Sequence, residues 1–192
     1  MVATQSTMKE LGSKAPEFKL PGLDGQLVSL DTLAHSKGYL IMFICNHCPF
    51  VVHIIKNLSK VCQEFQSQGI GVLAINANDV EKYPDDHPKK METFAKEYNL
   101  TFPYLFDESQ EIAKAYNAAC TPDFFLFDAQ RKLTYRGQMD SSRPGNDDRN
   151  DGHDLKSAVE ALIAGDKPLE NQTPSIGCNI KWRPGNEPSY FG

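Results

Sequence analysis

Three features are absent from the sequence, and each absence excludes a class of protein. No apolar run approaches the roughly 20 residues that a membrane-spanning helix needs. No stretch is dense in lysine and arginine, and the formal net charge is −5, so the chain has little with which to neutralise nucleic-acid phosphates. Residues 1–12 have neither the basic start nor the apolar centre of a secretory signal. The sequence therefore predicts a cytoplasmic protein that binds neither membranes nor nucleic acid.

Cysteine is also sparse, with five residues in a chain of 192. In a cytoplasmic protein of this size they do not indicate a disulfide scaffold, and redox chemistry or metal binding is the better interpretation of a close pair. Cys45 and Cys48 are such a pair. A structural zinc site would need further ligands, and no second C-x-x-C or paired histidine follows. We therefore expect no metal and no cofactor.

The order of apolar runs and helical periods predicts an α/β fold. Two short strands around a turn at residues 21–25 form an N-terminal β-hairpin, and a buried strand at residues 39–44 leads into a helix that begins at Pro49. Strands and helices then alternate before a second hairpin and a last helix. This pattern predicts a central mixed β-sheet flanked by helices. We expect residues 1–192 to form a single domain, with a flexible arm at 1–14 and an extended tail at 166–192.

The C-x-x-C motif of Cys45 and Cys48 lies where the buried strand meets the helix. A thiol at a helix N-terminus is stabilised as a thiolate by the exposed N–H groups and the helix dipole, which lowers its pKa. Cys45 is predicted to be the attacking thiolate and Cys48 the resolving thiol of a thiol–disulfide exchange. His47 lies between them, and its imidazole is expected to tune the redox potential by stabilising the thiolate.

Several segments carry a family resemblance. Residues 12–18 and 20–25 resemble the opening of the peroxiredoxin and thioredoxin-like superfamily. Residues 45–51 and 177–182 resemble its peroxiredoxin-like subgroup, the C-x-H-C-P branch of the alkyl hydroperoxide reductase/thiol-specific antioxidant superfamily. The similarity covers residues 11–186, and it implies a thioredoxin fold.

The resemblance gives a role to Thr121 and Pro122. In a thioredoxin fold this peptide bond is cis and lies against the C-x-x-C motif, so we expect the pair to form the substrate-docking edge. Cys120 would then lie near the motif, where it is either a further redox thiol or a packing residue.

Two interpretations stay open for Cys178 in the tail. In the first, the tail folds back across the domain and brings this cysteine close to Cys48 or Cys120, as a further redox thiol. In the second, burial of Ile180 and Trp182 simply anchors the tail, and the cysteine has no redox role. The second interpretation rests on the strict distance that a disulfide requires, with Cα atoms within about 7 Å.

The sequence departs from both parent patterns. Cys45 stands where peroxiredoxins have a hydroxyl residue three positions before the peroxidatic cysteine, and Tyr39 stands where thioredoxins have a buried acid. Three functions therefore remain: a thiol–disulfide oxidoreductase acting on protein thiols and disulfides, an antioxidant thiol peroxidase with Cys48 attacking small peroxides, and a redox sensor or binding module without catalysis. Either enzyme would need a thiol reductant such as thioredoxin or glutathione.

Overall fold

A computed structural model describes residues 3–33 and 36–191 of the chain. The strands are β1 (Ala3–Gln5), β2 (Leu20–Pro21), β3 (Leu27–Val28), β4 (Gly38–Phe43), β5 (Ile70–Asn76), β6 (Tyr104–Phe106), β7 (Cys120–Thr121), β8 (Asp123–Asp128), β9 (Leu133–Gly137) and β10 (Ile176–Asn179). The α-helices are α1 (Pro49–Ser67), α2 (Pro88–Glu97), α3 (Glu111–Tyr116) and α4 (His153–Ala164), and short 3₁₀-helices cover Leu30–Leu33 and Pro84–Asp86. Within the described residues, none of the helices is both long and apolar enough to cross a membrane.

The centre of the fold is a five-stranded sheet in the order β6-β5-β4-β8-β9. β4 and β6 pair with β5 in parallel, whereas β8 pairs antiparallel with both β4 and β9. β4 and β5 are buried along their whole length, which explains their continuous apolar sequence. β2 and β3 form a separate antiparallel hairpin. The predicted mixed sheet flanked by helices and the predicted N-terminal hairpin are confirmed.

Helices cover both faces of this sheet because side chains alternate along each strand. Leu40 and Met42 of β4 lie in a core shared with α1, α2 and α4. Ile41 and Phe43 lie in a second core, shared with α3 and the N-terminal hairpin. β4 is thus packed on both faces, and its carboxyl end, which leads to Cys45, has a fixed position.

The predicted arm and tail each contain a strand. β1 pairs antiparallel with β10, and β10 pairs antiparallel with β7, so a three-stranded sheet joins both ends of the chain to Thr121. Strands of two to four residues carry too little periodicity to be recognised in a sequence, and these partners lie far apart along the chain. Ile180 and Trp182 are buried, as expected for a tail anchored by burial.

β10 approaches β7 closely because residue 177 is a glycine. A Cβ atom at Gly177 would lie 2.0 Å from the carbonyl oxygen of Thr121 and 3.1 Å from the backbone nitrogen of Pro122. These are backbone atoms beside a buried strand, so they cannot move aside as a flexible side chain would. Any side chain at this position would therefore push β10 away from the Thr121-Pro122 peptide.

We expect Gly177→Ala to displace β10 and to lower the free energy of unfolding by about 1–3 kcal/mol, the usual cost of overpacking. Limited trypsin digestion after Lys181 reports the docking of the tail, because the backbone nitrogen of Lys181 donates to the side chain of Asn78. Cleavage there should be faster in the variant. Glu187→Ala, at an exposed position of the same tail, is the control. Equal cleavage rates at Lys181 in wild type and Gly177→Ala would contradict the close approach.

Candidate active site

Cys45 and Cys48 lie on either side of the junction between β4 and α1. Cys45 is the second residue after β4, and Cys48 is the N-cap residue of α1. Both side chains are buried, with exposed fractions of 1% and 0%. The Thr121-Pro122 peptide bond is cis, as predicted.

Thr121 contacts both sulfur atoms of the motif. Its hydroxyl Oγ1 is 3.3 Å from Cys45 Sγ, and the Cys48 thiol donates a hydrogen bond of 3.1 Å to its carbonyl oxygen. The two thiols are also hydrogen-bonded to each other. The structure therefore brings the predicted redox pair and the predicted docking residue into direct contact, with all of the cysteines reduced and buried.

The two thiols of the motif differ in acidity. Hydrogen bonds from the thiols of Cys178 and Cys45, and then from the amides of Val51 and Cys178, lower the pKa of Cys48. The pKa of Cys45 is raised well above its usual value, first by its hydrogen bond to Cys48, then by burial and by the nearby carboxylate of Asp86. Cys48 is therefore the first of the two to lose its proton.

This order differs from the sequence prediction, which has Cys45 as the attacking thiolate. The largest causes are the thiols of Cys178 and Cys45, and the position of the helix adds to them. α1 begins at Pro49, so its unpaired N–H groups surround Cys48, while Cys45 lies three residues earlier in the irregular segment 44–48.

His47 is held by a carboxylate. Its Nδ1 lies 2.8 Å from Oδ2 of the fully buried Asp86, and its ring stacks on Tyr83 with 5.7 Å between the ring centroids. The hydrogen bond with Asp86 raises the pKa of His47, and the charge of Cys48 raises it further. Because this attraction is mutual, a protonated His47 favours the thiolate of Cys48.

Asp86 was not predicted from the sequence. Its Oδ1 accepts a hydrogen bond of 2.8 Å from the backbone nitrogen of Asn46, and its Oδ2 accepts one of 2.7 Å from Nδ2 of Asn78. It ends the 3₁₀-helix Pro84–Asp86, ten residues after β5, and the carboxyl end of β5 lies beside that of the parallel strand β4. Residues that follow neighbouring parallel strands meet at one edge of the sheet, and this rule is the signal that could have identified Asp86.

Of the two cysteines predicted as possible further redox thiols, Cys178 lies at the redox pair. Its thiol is hydrogen-bonded to Cys48, and this bond, followed by burial, raises its own pKa. The sulfur of Cys120 instead faces the carbonyl oxygens of Pro122, at 3.5 Å, and Ser175, at 4.0 Å, and burial raises its pKa well above the usual value. The tail is thus anchored by burial and also brings a thiol to Cys48.

The edge predicted to dock a substrate is already paired. Thr121 is the register partner of Cys178, and Cys120 is the partner of Asn179. A substrate strand would have to displace β10 before it could pair with Thr121.

One group of side chains has the composition of a metal site. Ligand atoms of Cys45, His47 and Asp86 lie within 4.8 Å of one another, and thiolate, imidazole and carboxylate are all ligands of Zn²⁺. Both oxygens of Asp86 already accept hydrogen bonds, one of them from an asparagine amide, and the imidazole faces the same carboxylate. This hydrogen bonding accounts for the arrangement of the group.

Most of the chain matches a known protein family. Residues 11–136 match the AhpC/TSA family. The chain is 30% identical over 131 residues to the thiol-disulfide oxidoreductase ResA of Geobacillus thermodenitrificans (strain NG80-2), a match that covers 68% of this chain and 70% of that protein.

Similarity to solved structures extends over more of the chain. An uncharacterized conserved protein from Geobacillus kaustophilus is 47% identical, with a TM-score of 0.94 over 96% of this chain and 98% of that one. A putative thiol:disulfide interchange protein DsbE from Chlorobium tepidum is 22% identical, with a TM-score of 0.63 over 80% of this chain and 98% of that one. The second likeness concerns the fold alone, which is thioredoxin-like.

We expect Asp86→Asn to lower the pKa of His47, because the variant removes the carboxylate that holds the imidazolium. NMR titration of the His47 ring should give a midpoint above 6.5 in the reduced wild type and a lower midpoint in the variant. Each unit of difference corresponds to about 1.4 kcal/mol. Since the pKa is raised in the folded state, the stabilisation from this pair is complete below about pH 6.5 and is lost as the pH rises through the raised pKa.

Asp147→Asn is the matched control for this titration. It removes the same charge from an exposed loop position and should leave the His47 midpoint unchanged. Equal midpoints in wild type and Asp86→Asn would show that the carboxylate does not hold the ring.

Proposed function

Because this chain is a member of the AhpC/TSA family, we propose that it is a thiol–disulfide oxidoreductase that works through Cys45 and Cys48. The position of Cys48 is the observation that supports the proposal most directly. This cysteine is the N-cap residue of α1, and its thiol is hydrogen-bonded to Cys45 and to the carbonyl of Thr121. Similarity to a protein named as a thiol-disulfide oxidoreductase supports the reaction class. The substrates of such a reaction are protein thiols and disulfides.

The reaction begins when the Cys48 thiolate attacks one sulfur of a substrate disulfide. The substrate S–S bond breaks, the leaving sulfur takes up a proton, and a mixed disulfide joins Cys48 to the substrate. Cys45 then loses its proton and attacks the Cys48 sulfur, which releases the second substrate thiol. A thiol reductant such as thioredoxin or glutathione returns the Cys45–Cys48 disulfide to two thiols. Cys48 thus takes the attacking role and Cys45 the resolving role.

His47 and Asp86 add to the difference between the two cysteines, which the interaction between their thiols and burial produce first. The buried carboxylate of Asp86 disfavours a second negative charge at Cys45, while the imidazolium of His47 favours the charge at Cys48. The negative charge is therefore kept on the sulfur at the helix N-terminus until a disulfide arrives.

We expect Cys48→Ser to reduce the rate of insulin reduction with dithiothreitol by about 100-fold or more, because a serine hydroxyl takes no part in thiol exchange. Cys45→Ser should retain the first attack and lose the release of the second substrate thiol by Cys45. Cys62→Ala is the control: this cysteine lies on the same helix, α1, but is fully buried in the core, so its removal should leave the rate close to that of wild type. Wild-type activity in Cys48→Ser would overturn the proposal.

The Cys45/Cys48 pair should be more oxidising than that of thioredoxin, with a reduction potential above about −270 mV. The lowered pKa of Cys48 stabilises the reduced form, which raises the potential. Equilibration in glutathione buffers and mass spectrometry of the tryptic peptide 38–56, which contains both cysteines, measures this value. His47→Gln should make the potential more negative, whereas His153→Gln on α4 should not. A wild-type value at or below −270 mV would contradict the expectation.

One observation favours a second candidate function, a thiol peroxidase. Cys48 is the more acidic thiol of the pair and is followed by Pro49, the arrangement that the family resemblance implies for a peroxidatic cysteine. Its thiolate would attack a peroxide oxygen, form a sulfenic acid and release water or an alcohol, and Cys45 would condense with the sulfenic acid to a disulfide and a second water. Peroxide consumption that is lost in Cys48→Ser, together with a sulfenic acid trapped by dimedone in Cys45→Ser, would support it. Stable peroxide in the presence of the reduced wild type would exclude it.

A further inference from the structure

The tail strand β10 occupies the edge of β7 beside the redox pair. Cys178 is opposite Thr121 in this antiparallel pairing, and Asn179 is opposite Cys120. Thr121 is the residue whose carbonyl and hydroxyl contact the two motif sulfurs. The strand β10, which contains Cys178, therefore occupies the edge at which a substrate strand would pair with Thr121.

The register decides which cysteine faces the motif. Opposite residues of an antiparallel pair point to the same face of a sheet, and successive residues point to opposite faces. Cys178 and Thr121 therefore share the face that carries Cys48, and the thiols of Cys178 and Cys48 are hydrogen-bonded. Cys120 lies on the other face, with its sulfur against backbone carbonyls.

The rest of the tail keeps β10 in this position. Gly177 allows the strand to lie directly on the Thr121-Pro122 peptide, where a Cβ atom would be 2.0 Å from a carbonyl oxygen. β1 covers the other edge of the strand, and Ile180 donates a backbone hydrogen bond of 3.0 Å to Ala119. The segment before the strand, residues 166–174, is mostly exposed and has no helix or strand.

We propose that β10 is a tethered strand in the place of a substrate and that Cys178 is a third redox thiol, which forms a disulfide with Cys48. The inference rests on the proposed thiol–disulfide exchange, since it uses the same attacking sulfur. In the oxidised protein the new bond joins α1 to the tail, and the docking edge at Thr121 stays closed to other strands.

The oxidant in this step is a small disulfide such as oxidised glutathione. The Cys48 thiolate attacks one of its sulfur atoms, the S–S bond breaks, and the leaving thiolate takes up a proton. Cys178 then loses its proton and attacks the Cys48 sulfur, which releases the second glutathione thiol and leaves a Cys48–Cys178 disulfide. Cys45 can next displace Cys178 from Cys48, so that Cys178 regains a proton and the disulfide moves to Cys45–Cys48.

Disulfide mapping of the full-length chain tests this directly. Cys45 and Cys48 share the tryptic peptide 38–56, whereas Cys178 is in the peptide 157–181. After equilibration in graded glutathione buffers, acid quenching, alkylation and digestion, we expect a cross-link between these two peptides in wild type. The cross-link should persist in Cys45→Ser and Cys120→Ala and disappear in Cys48→Ser.

A kinetic measurement on two variants complements the mapping. Glutathione bound to Cys48 should persist at least tenfold longer in Cys45→Ser/Cys178→Ser than in Cys45→Ser, because the second thiol is then missing. Alkylated Cys178 at every potential, with only an internal disulfide in peptide 38–56, would overturn the inference and leave the proposed function standing. Insulin reduction is measured in parallel, and its absence from wild type counts against the proposed function alone.

Discussion

The sulfur of Cys48 takes part in several hydrogen bonds, and the site depends on the elements that supply their partners. The first turn of α1, the motif residue Cys45 and the tail residue Cys178 all direct hydrogen-bond donors at its sulfur, while the carbonyl of Thr121 accepts from its thiol. A buried charge without donors would cost several kcal/mol, so the thiolate depends on the donors from α1, Cys45 and Cys178, whereas the carbonyl of Thr121 bonds only to the protonated thiol. The helix start, the cis peptide and the tail are therefore not separate features of the fold, because each supplies part of the surroundings of one atom.

Asp86 makes this site asymmetric. Two neighbouring thiols in a similar environment would share a proton with no preference, and neither would be a dependable nucleophile. The buried carboxylate acts against ionisation of Cys45, and by holding His47 it places a compensating positive charge near Cys48. This acid, ten residues after β5, thus adds to the difference in acidity that the interaction between the two thiols and burial produce first.

The parts of the structure that follow from local patterns were accessible from the sequence. Continuous apolar residues predicted β4, the helical period predicted α1, and the Thr121-Pro122 dipeptide was placed against the cysteines through the family resemblance. The rest depends on contacts between residues that are distant in the chain. Pairing of β1 with β10 and of β10 with β7 joins residues that no local pattern connects. The order of acidity depends first on the thiol of Cys178, which this pairing brings to Cys48.

The segment that matches the family ends before the tail begins. The motif cysteines lie inside this segment, and the tail strand that covers Thr121 lies outside it. Residues 11–136 contain both motif cysteines, Asp86 and the Thr121-Pro122 peptide, whereas Cys178, which lowers the pKa of Cys48, lies outside them. β1 and β10 both lie outside that segment, yet together they form the strands laid over the edge beside Thr121. A sheet edge that stayed open would accept any extended strand, whereas an edge filled by the chain itself admits only a partner that displaces β10. In the proposed exchange, the terminal strands therefore bear on which disulfides reach Cys48, and the core of the fold supplies the other groups of the site.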